Sequence, residues 1–204
     1  MPSYVDVKML RPNSYYHVYT HAVGNERCLL DDRDRHAFIE SLRERVVPGL
    51  ARGRGRRIRV FVGEVSVVAY ALMGNHLHFV LHQGRDPRAI SRMMHALLGA
   101  YARAFNLRHG RDGKLFMKPY HVRHLRNADD VMNAIAYVHN NPRDKKGIDE
   151  RTSHRAYTGQ SPQDFVSTAH GMRFFGNSEG YGKFFDAYVQ LKATRETARR
   201  NIPV

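Results

Sequence analysis

The order of apolar and polar positions along the chain predicts seven elements, followed by a weaker C-terminal pattern. β-branched and aromatic side chains that alternate with polar ones predict strands, and apolar side chains three and four residues apart predict helices. The strands are predicted at residues 14–23, 60–73, 76–82 and 115–125. The helices are predicted at residues 31–50, 86–107 and 127–141, and a basic last helix at residues 184–200.

Three short features refine this pattern. A bend or bulge is expected near Gly63-Glu64, within the second predicted strand, and Gly74-Asn75 is a dipeptide typical of a hairpin turn. Pro119 cannot donate a backbone hydrogen bond, so the fourth strand should lie at an edge or start late. The order strand, helix, strand, strand, helix, strand, helix predicts an α+β, ferredoxin-like sandwich, an antiparallel sheet with helices on one face.

The third predicted strand carries two histidines one residue apart. His76 and His78 should point to the same face, because side chains alternate along a strand, and His82 shares that face. Two neutral imidazoles on one rigid strand can bind a divalent metal. With 13 histidines in 204 residues, such a pair also arises by chance, and two packed strand histidines would explain it equally well.

The third predicted helix carries a tyrosine away from its apolar stripe. At about 100° per residue, Val131, Ile135 and Val138 form the stripe expected to be buried. Tyr137 lies about 120° from the centre of that stripe, on a polar margin, where a tyrosine that only packs would not be expected. Pro142 should end the helix, because the residue before proline avoids the helical conformation.

An asparagine close to that tyrosine completes the candidate site. Tyr137 and Asn141 are four residues apart and would be neighbours on one helix face. Asn141 could therefore join His76 and His78 as a third metal ligand while Tyr137 reaches the same centre. Asn140 competes for this place, and both asparagines could instead serve only as a helix cap and turn.

Among the global properties of the chain, the net charge says most about its partner. The formal charge is +14, and such an excess favours a polyanionic partner, with nucleic acid ahead of an anionic membrane. Part of it lies in a glycine-rich loop at residues 51–59, which suits phosphate binding. The loop arginines are Arg52, Arg54, Arg56, Arg57 and Arg59.

Other global features exclude several classes of protein. No apolar run approaches the roughly 18 residues of a membrane span, and the N-terminus shows no signal-peptide pattern. Cys28 is the single cysteine, which excludes an internal disulfide and a multi-cysteine zinc site. A cytoplasmic protein that associates with the nucleoid when bound to DNA, and not with a membrane, is expected.

Several segments together resemble a known family. The chain is similar to the small single-tyrosine HUH transposases of bacterial insertion sequences, especially the REP-associated tyrosine transposases. The resemblance covers about residues 14–147, and its segments occur in the family's order. They are HVYTHAV from His17, YALMGNHLHFVL from Tyr70, MMHALLGAYARAFN from Met93, GKLFMKPY from Gly113 and AIAYVHNNP from Ala134.

The resemblance implies a site, a reaction and partners. It implies His76 and His78 as metal ligands, Tyr137 as the nucleophile and Asn141 as the third ligand. It implies a ferredoxin-like fold and Mg²⁺ or Mn²⁺ as cofactor. Members of the family cleave and rejoin single-stranded DNA near hairpins through a 5′-phosphotyrosine intermediate, so single-stranded or hairpin DNA is the expected partner. Both a homodimer and a monomer are compatible with the family.

The resemblance also suggests a division of the chain. Residues 1–150 would form the nuclease domain, and residues 151–204 a basic extension that packs on it or trails from it. The chain departs from the family at His21-Ala22, where Arg-Gly is usual, and at Pro119, where an arginine is common. These departures affect the choice of DNA hairpin rather than the proposed centre.

Other interpretations stay open at this point. A DNA- or RNA-binding protein that keeps the fold without catalysis would have the same charge. A histidine-triad nucleotide hydrolase would need a histidine where Val80 stands. Tyr101 is the rival nucleophile, although it falls within the apolar stripe of its helix. His139 either donates a hydrogen bond to a group that binds the metal or contacts DNA.

Overall fold

The computed structural model describes residues 10–50, 58–117, 120–142 and 144–200. The strands are Ser14–His21 (β1), Val65–Leu72 (β2), His76–Gln83 (β3) and His121–Leu125 (β4). The helices are Asp32–Val46 (α1), Ala89–His109 (α2), Ala128–His139 (α3), Lys145–Arg151 (α4), His154–Tyr157 (α5), Thr168–Phe175 (α6) and Ser178–Arg200 (α7). No helix within these ranges is both long and apolar enough to cross a membrane.

The four strands form one antiparallel sheet in the order β2-β3-β1-β4. Helix α1 connects β1 to β2, and helix α2 connects β3 to β4. Strand β1 therefore lies in the middle, beside both β3 and β4, and the hairpin partner β2 lies at one edge. This is the ferredoxin-like α+β arrangement, and the predicted fold class is confirmed.

Helices cover both faces of the sheet. Phe79 in β3 stacks with Phe38 of α1, whereas its neighbour His78 contacts Tyr137 of α3. Adjacent residues of a strand point to opposite faces, so α1 and α3 lie on opposite sides of the sheet. The expectation that all helices share one face is therefore corrected. The physical reason is β2, which is buried at seven of its eight positions and needs cover on both sides.

Three predicted strands are shorter than expected, and β1 ends at His21, two residues early. β2 begins at Val65, after a turn in which Gly63 has φ +73°, so a bend is present where a bend or bulge was predicted, and a bulge lies farther on, between Val67 and Ala69. β4 contains only His121–Leu125, and the segment before it contributes a single bridge through Phe116. Pro119 and residues 51–57, with four of the five loop arginines, lie outside the described residues.

The start and end of α3 follow from its sequence. The Asn127 side chain accepts a hydrogen bond from the backbone N–H of Asp130 at 2.8 Å and so caps the start of the helix. The helix ends at His139, two residues earlier than predicted. Asn141 therefore lies beyond the helix, in the turn before Pro142, and its side chain is free to point away from the helix axis.

The C-terminal segment packs on β2 and α3. The Ser153 hydroxyl accepts a hydrogen bond from Tyr70 N at 3.0 Å, and the Tyr157 hydroxyl donates to Val68 O at 3.0 Å. Helices α6 and α7 both contact α3. The helix that carries Tyr137 is therefore held between the sheet and the C-terminal helices.

Candidate active site and metal centre

The candidate site lies on the face of the sheet that α3 covers. In the register of β1 and β3, His76 pairs with His21 and His78 with Tyr19. The rings of His76 and His78 are 5.0 Å apart, centre to centre. The period of two along the strand therefore brings both imidazoles to the same face, as predicted.

His76 lies between two asparagine side chains. Its Nδ1 is 2.7 Å from Asn75 Oδ1, and its Nε2 is 2.8 Å from Asn141 Oδ1. Asn140, the competing asparagine, instead caps α3 through a backbone hydrogen bond to Ala136 O. Of the two competing asparagines, Asn141 is thus the one that contacts the histidine pair.

His78 is buried and contacts a third histidine. Its Nδ1 is 3.0 Å from His17 Nε2, and its ring stacks with the rings of His17 and Tyr19. Burial, with a smaller effect of the neighbouring histidines, lowers the pKa of His78 to about 2. Burial, with a smaller effect of the nearby Arg123, also lowers the pKa of His17 to about 4. Both rings are therefore neutral at pH 7, the form that binds metal ions.

Tyr137 stands beside these histidines and is open to solvent. Its ring meets the rings of His78 and His17 edge to face, at 5.5 and 5.6 Å between centres. The side chain is 38% exposed, although half of the residues of its helix are buried. A phenol held against two imidazoles and accessible from outside can meet a large substrate.

The donor set around His76 fits a small cation. A neutral imidazole has one N–H, so His76 can donate to only one of the two amide oxygens that it faces. The other ring nitrogen carries no proton, so its lone pair faces the lone pairs of an amide oxygen and the two atoms repel each other. A cation bound to both the nitrogen and the oxygen would remove this repulsion. Burial lowers the pKa of His76, which disfavours a second proton as that cation.

A metal ion is compatible with the distances. Ligands about 2.1 Å from an octahedral ion lie about 3 Å from one another, close to the observed separation of His76 Nε2 and Asn141 Oδ1. Within the described ranges, no three side chains among His, Cys, Asp and Glu form a group that could hold a metal. The candidate set differs from such groups, because an amide oxygen accompanies two imidazoles.

The site opens into a pocket of about 570 Å³. The pocket is lined by residues of β1, β3, β4, α3 and α7, and three of them are cations, Arg123, Lys192 and Arg195. Sequence reasoning assigned no role to His17 or to these cations. The sequence did contain a signal for His17, because the side chains of β1 alternate between the two faces of the sheet as those of β3 do. Its residues on the site face are Tyr15, His17, Tyr19 and His21.

Two residues considered as alternatives lie elsewhere. Tyr101 is only 2% exposed and donates a hydrogen bond to Cys28 O at 2.7 Å, and burial raises its pKa, so it cannot reach a DNA strand. His139 is fully buried between Tyr181 and Ser153, which excludes a DNA contact. Its role is to join α3 to the C-terminal segment.

Comparison with known proteins supports the fold. No protein-family model matches the chain, and no curated protein sequence matches it. Among solved structures, the chain is similar to a REP-associated tyrosine transposase bound to a REP hairpin, with a TM-score of 0.52 and 16% sequence identity. The match covers 82% of this chain and 92% of that one. At this identity the similarity shows the fold alone.

Proposed function

We propose that the protein is a metal-dependent, single-stranded DNA endonuclease and strand transferase with Tyr137 as its nucleophile. The observation that carries this proposal is the meeting of four side chains from distant parts of the chain on one face of the sheet. Asn141 Oδ1 lies 2.8 Å from His76 Nε2, and the Tyr137 ring lies 5.5 Å from the ring of His78. The similarity of the fold to that of a tyrosine transposase supports the same reaction.

In the proposed reaction, Tyr137 Oη attacks the phosphorus of a DNA phosphodiester. The new O–P bond forms as the bond from phosphorus to the 3′ oxygen breaks. The phenolic proton passes to solvent, which reaches the exposed ring, and the departing 3′ oxygen becomes a hydroxyl by taking a proton from water. The product is a 5′-phosphotyrosine, which conserves the bond for rejoining to another 3′ hydroxyl.

His76, His78 and Asn141 would hold the divalent cation, Mg²⁺ or Mn²⁺. When bound, the ion would polarise the phosphodiester and stabilise the charge that develops during the displacement. Asn75 would orient His76 by accepting its Nδ1 proton, so that Nε2 faces the centre. His17 would orient His78 in the same way.

The proposed substrate is single-stranded or hairpin DNA. The net charge of +14 favours a polyanion, and the similar solved structure is bound to a REP hairpin. Among the described side chains, the pocket beside Tyr137 is lined by three cations and by no carboxylate. A phosphodiester backbone could therefore approach Tyr137 without repulsion from acidic side chains.

Covalent trapping tests the proposal. Purified protein is incubated with labelled single-stranded DNA from the flanks of its own gene, in Mn²⁺ or in chelator, and denatured. We expect a protein–DNA adduct that requires the metal and is absent from Tyr137→Phe and His78→Ala. Because Tyr137 is partly exposed, Tyr137→Phe should change the free energy of unfolding by no more than about 0.5 kcal/mol.

Two other outcomes would contradict the proposal in different ways. An adduct that persists in Tyr137→Phe would move the nucleophile to another residue. Tight DNA binding without any adduct, on hairpin substrates and with Mn²⁺ bound, would instead favour the alternative function, a DNA- or RNA-binding protein on the same fold.

A further inference from the structure

Helix α7 has a stripe that changes from aromatic to cationic along its length. The stripe residues are separated by four, three, four and three positions, which places them on one helix face. They are Tyr181, Phe185, Tyr188, Lys192 and Arg195. Tyr181 and Phe185 are buried, and Tyr188 is partly buried against the core. The same face then continues with two positive charges.

The aromatic half of the stripe fixes α7 on the helix that carries Tyr137. The Tyr181 hydroxyl is 2.7 Å from Nδ1 of His139 and 2.6 Å from Nδ1 of His154. Phe185 packs against the ring of His154, at 4.7 Å between centres. These buried contacts hold α7 against the end of α3, so the position of its cationic half relative to Tyr137 is set by the fold.

The cationic half of the stripe passes the candidate nucleophile. Lys192 Nζ lies 5.7 Å from the centre of the Tyr137 ring and 5.8 Å from that of Tyr188, at the outer limit of a cation–π contact. Lys192 and Arg195 line the same pocket as His76 and His78. The stripe therefore places two positive charges beside the site at which Tyr137 would attack a phosphodiester.

The pocket beside Tyr137 concentrates positive charge. Its described lining includes the cations Arg123, Lys192 and Arg195 and no carboxylate. On the same helix, Lys183 lies away from this lining and pairs with Glu179 at 2.6 Å. Positive charges that converge on one pocket favour an anionic ligand, because its binding relieves their mutual repulsion.

We infer that Lys192 and Arg195 of α7 form a phosphodiester-binding subsite beside Tyr137, with Tyr188 as an adjacent ring on which a base can stack. The inference rests on the proposed function and deepens it, because it names the part of the site that takes the DNA backbone. It also assigns a role in substrate binding to a helix outside the ferredoxin-like unit of β1 to β4. The subsite binds the strand whether or not a metal is present.

Equilibrium binding of short single-stranded DNA tests the subsite directly. A fluorescein-labelled eight-nucleotide oligonucleotide is titrated in chelator and followed by fluorescence anisotropy at several salt concentrations. One lost phosphate contact on single-stranded DNA should lower the slope of log K against log salt by about 0.7, and so weaken binding about five-fold at 0.1 M salt. We expect this change for Lys192→Ala, Lys192→Gln and Arg195→Ala.

The chain offers a matched control and a rescue variant. Lys183→Ala removes the same charge from the same helix, away from the pocket, and should weaken binding less than two-fold. Lys192→Arg keeps the charge and should bind like the wild type. Equal binding losses in Lys192→Ala and Lys183→Ala would overturn the inference, since they would reflect net charge alone.

The adduct assay separates failure of the inference from failure of the proposed function. If the wild type forms the Tyr137 adduct and Lys192→Ala binds and reacts like Lys183→Ala, the subsite is wrong and the nuclease function stands. If no protein forms an adduct but Lys192→Ala loses binding relative to Lys183→Ala, the subsite stands and the nuclease function is wrong.

Discussion

At the scale of single residues, the contact between His17 and His78 decides which nitrogen of His78 can bind a ligand. His78 Nδ1 is 3.0 Å from His17 Nε2, so Nε2 is the nitrogen left for the site. His78 is only 4% exposed, and its ring contacts those of His17 and Tyr19. Partners of this kind hold a ligating imidazole in one tautomer and one orientation.

Loss of that contact should weaken metal binding. We expect His17→Ala to lower the affinity for Mn²⁺ about 10- to 100-fold, measured by isothermal titration calorimetry. His17→Gln places an amide near the original Nε2 and should lose less. His124→Ala, which removes a histidine from the opposite face of the sheet, is the control. An unchanged affinity in His17→Ala would show that His17 does not position His78.

Tyr101 allows a residue-scale test of a different kind. Its hydroxyl donates to Cys28 O in the core, so Tyr101→Phe removes one buried hydrogen bond. The free energy of unfolding in urea should fall by about 1–2 kcal/mol, while adduct formation stays at the wild-type level. Loss of the adduct in a folded Tyr101→Phe variant would return Tyr101 to the list of candidate nucleophiles.

At the scale of elements, β3 and α6 meet at a pair of histidines. The rings of His82 and His170 are 4.3 Å apart, and the Tyr15 hydroxyl from β1 lies 3.0 Å from His170 Nδ1. Burial, with smaller effects of the neighbouring His170 and Arg173, lowers the pKa of His82 to about 4. The folded structure therefore favours the neutral form of His82.

The contact should make stability depend on pH. The unfolded chain gains a proton on His82 near pH 6.5, whereas the folded chain gains it only near pH 4. The free energy of unfolding should therefore be highest above pH 6.5 and fall as the pH is lowered towards 4. Urea unfolding in chelator at pH 8 and pH 5 measures this difference.

A substitution measures how much His82 contributes to the loss of stability between pH 8 and pH 5. His82→Phe cannot be protonated and should reduce the loss of stability between pH 8 and pH 5. His36→Gln, an exposed change on α1, should leave the loss as in the wild type. If His82→Phe loses as much stability as the wild type, other groups account for the pH dependence.

At the scale of the whole molecule, the charge of +14 should dominate the strength of DNA binding. Single-stranded DNA that makes about five phosphate contacts would give a slope of about −3.5 for log K against log salt. Binding should then weaken about 100-fold between 50 and 200 mM salt. Anisotropy titrations at four salt concentrations measure the slope. A slope near zero would mean that charge does not drive binding, despite the composition.

The division of the whole chain at residue 150 stays a prediction. The structure adds contacts across that position, since Ser153, Tyr157 and Tyr181 bind to β2 and α3 through buried hydrogen bonds. We propose that residues 151–200 complete the site rather than trail from the domain. A chain truncated at residue 150 would expose the buried His139 and would be expected to lose stability.

What the sequence by itself determined was the local geometry. A strand places every second side chain on one face, so His76 and His78 had to share a face wherever the strand lay. A helix of 3.6 residues per turn placed Tyr137 beside the buried stripe of Val131, Ile135 and Val138, and not within it. The alternation of helices and strands was enough for the ferredoxin-like order of the sheet.

Only the tertiary structure decided which distant segments meet. β1 lies between β3 and β4, so His17 reaches His78 across 61 positions of the chain. The packing of α7 on α3 brings Lys192 to Tyr137, and the same packing buries His139. Periodicity describes a residue relative to its own helix or strand, whereas these contacts depend on how whole elements share one core. No local pattern carries that information.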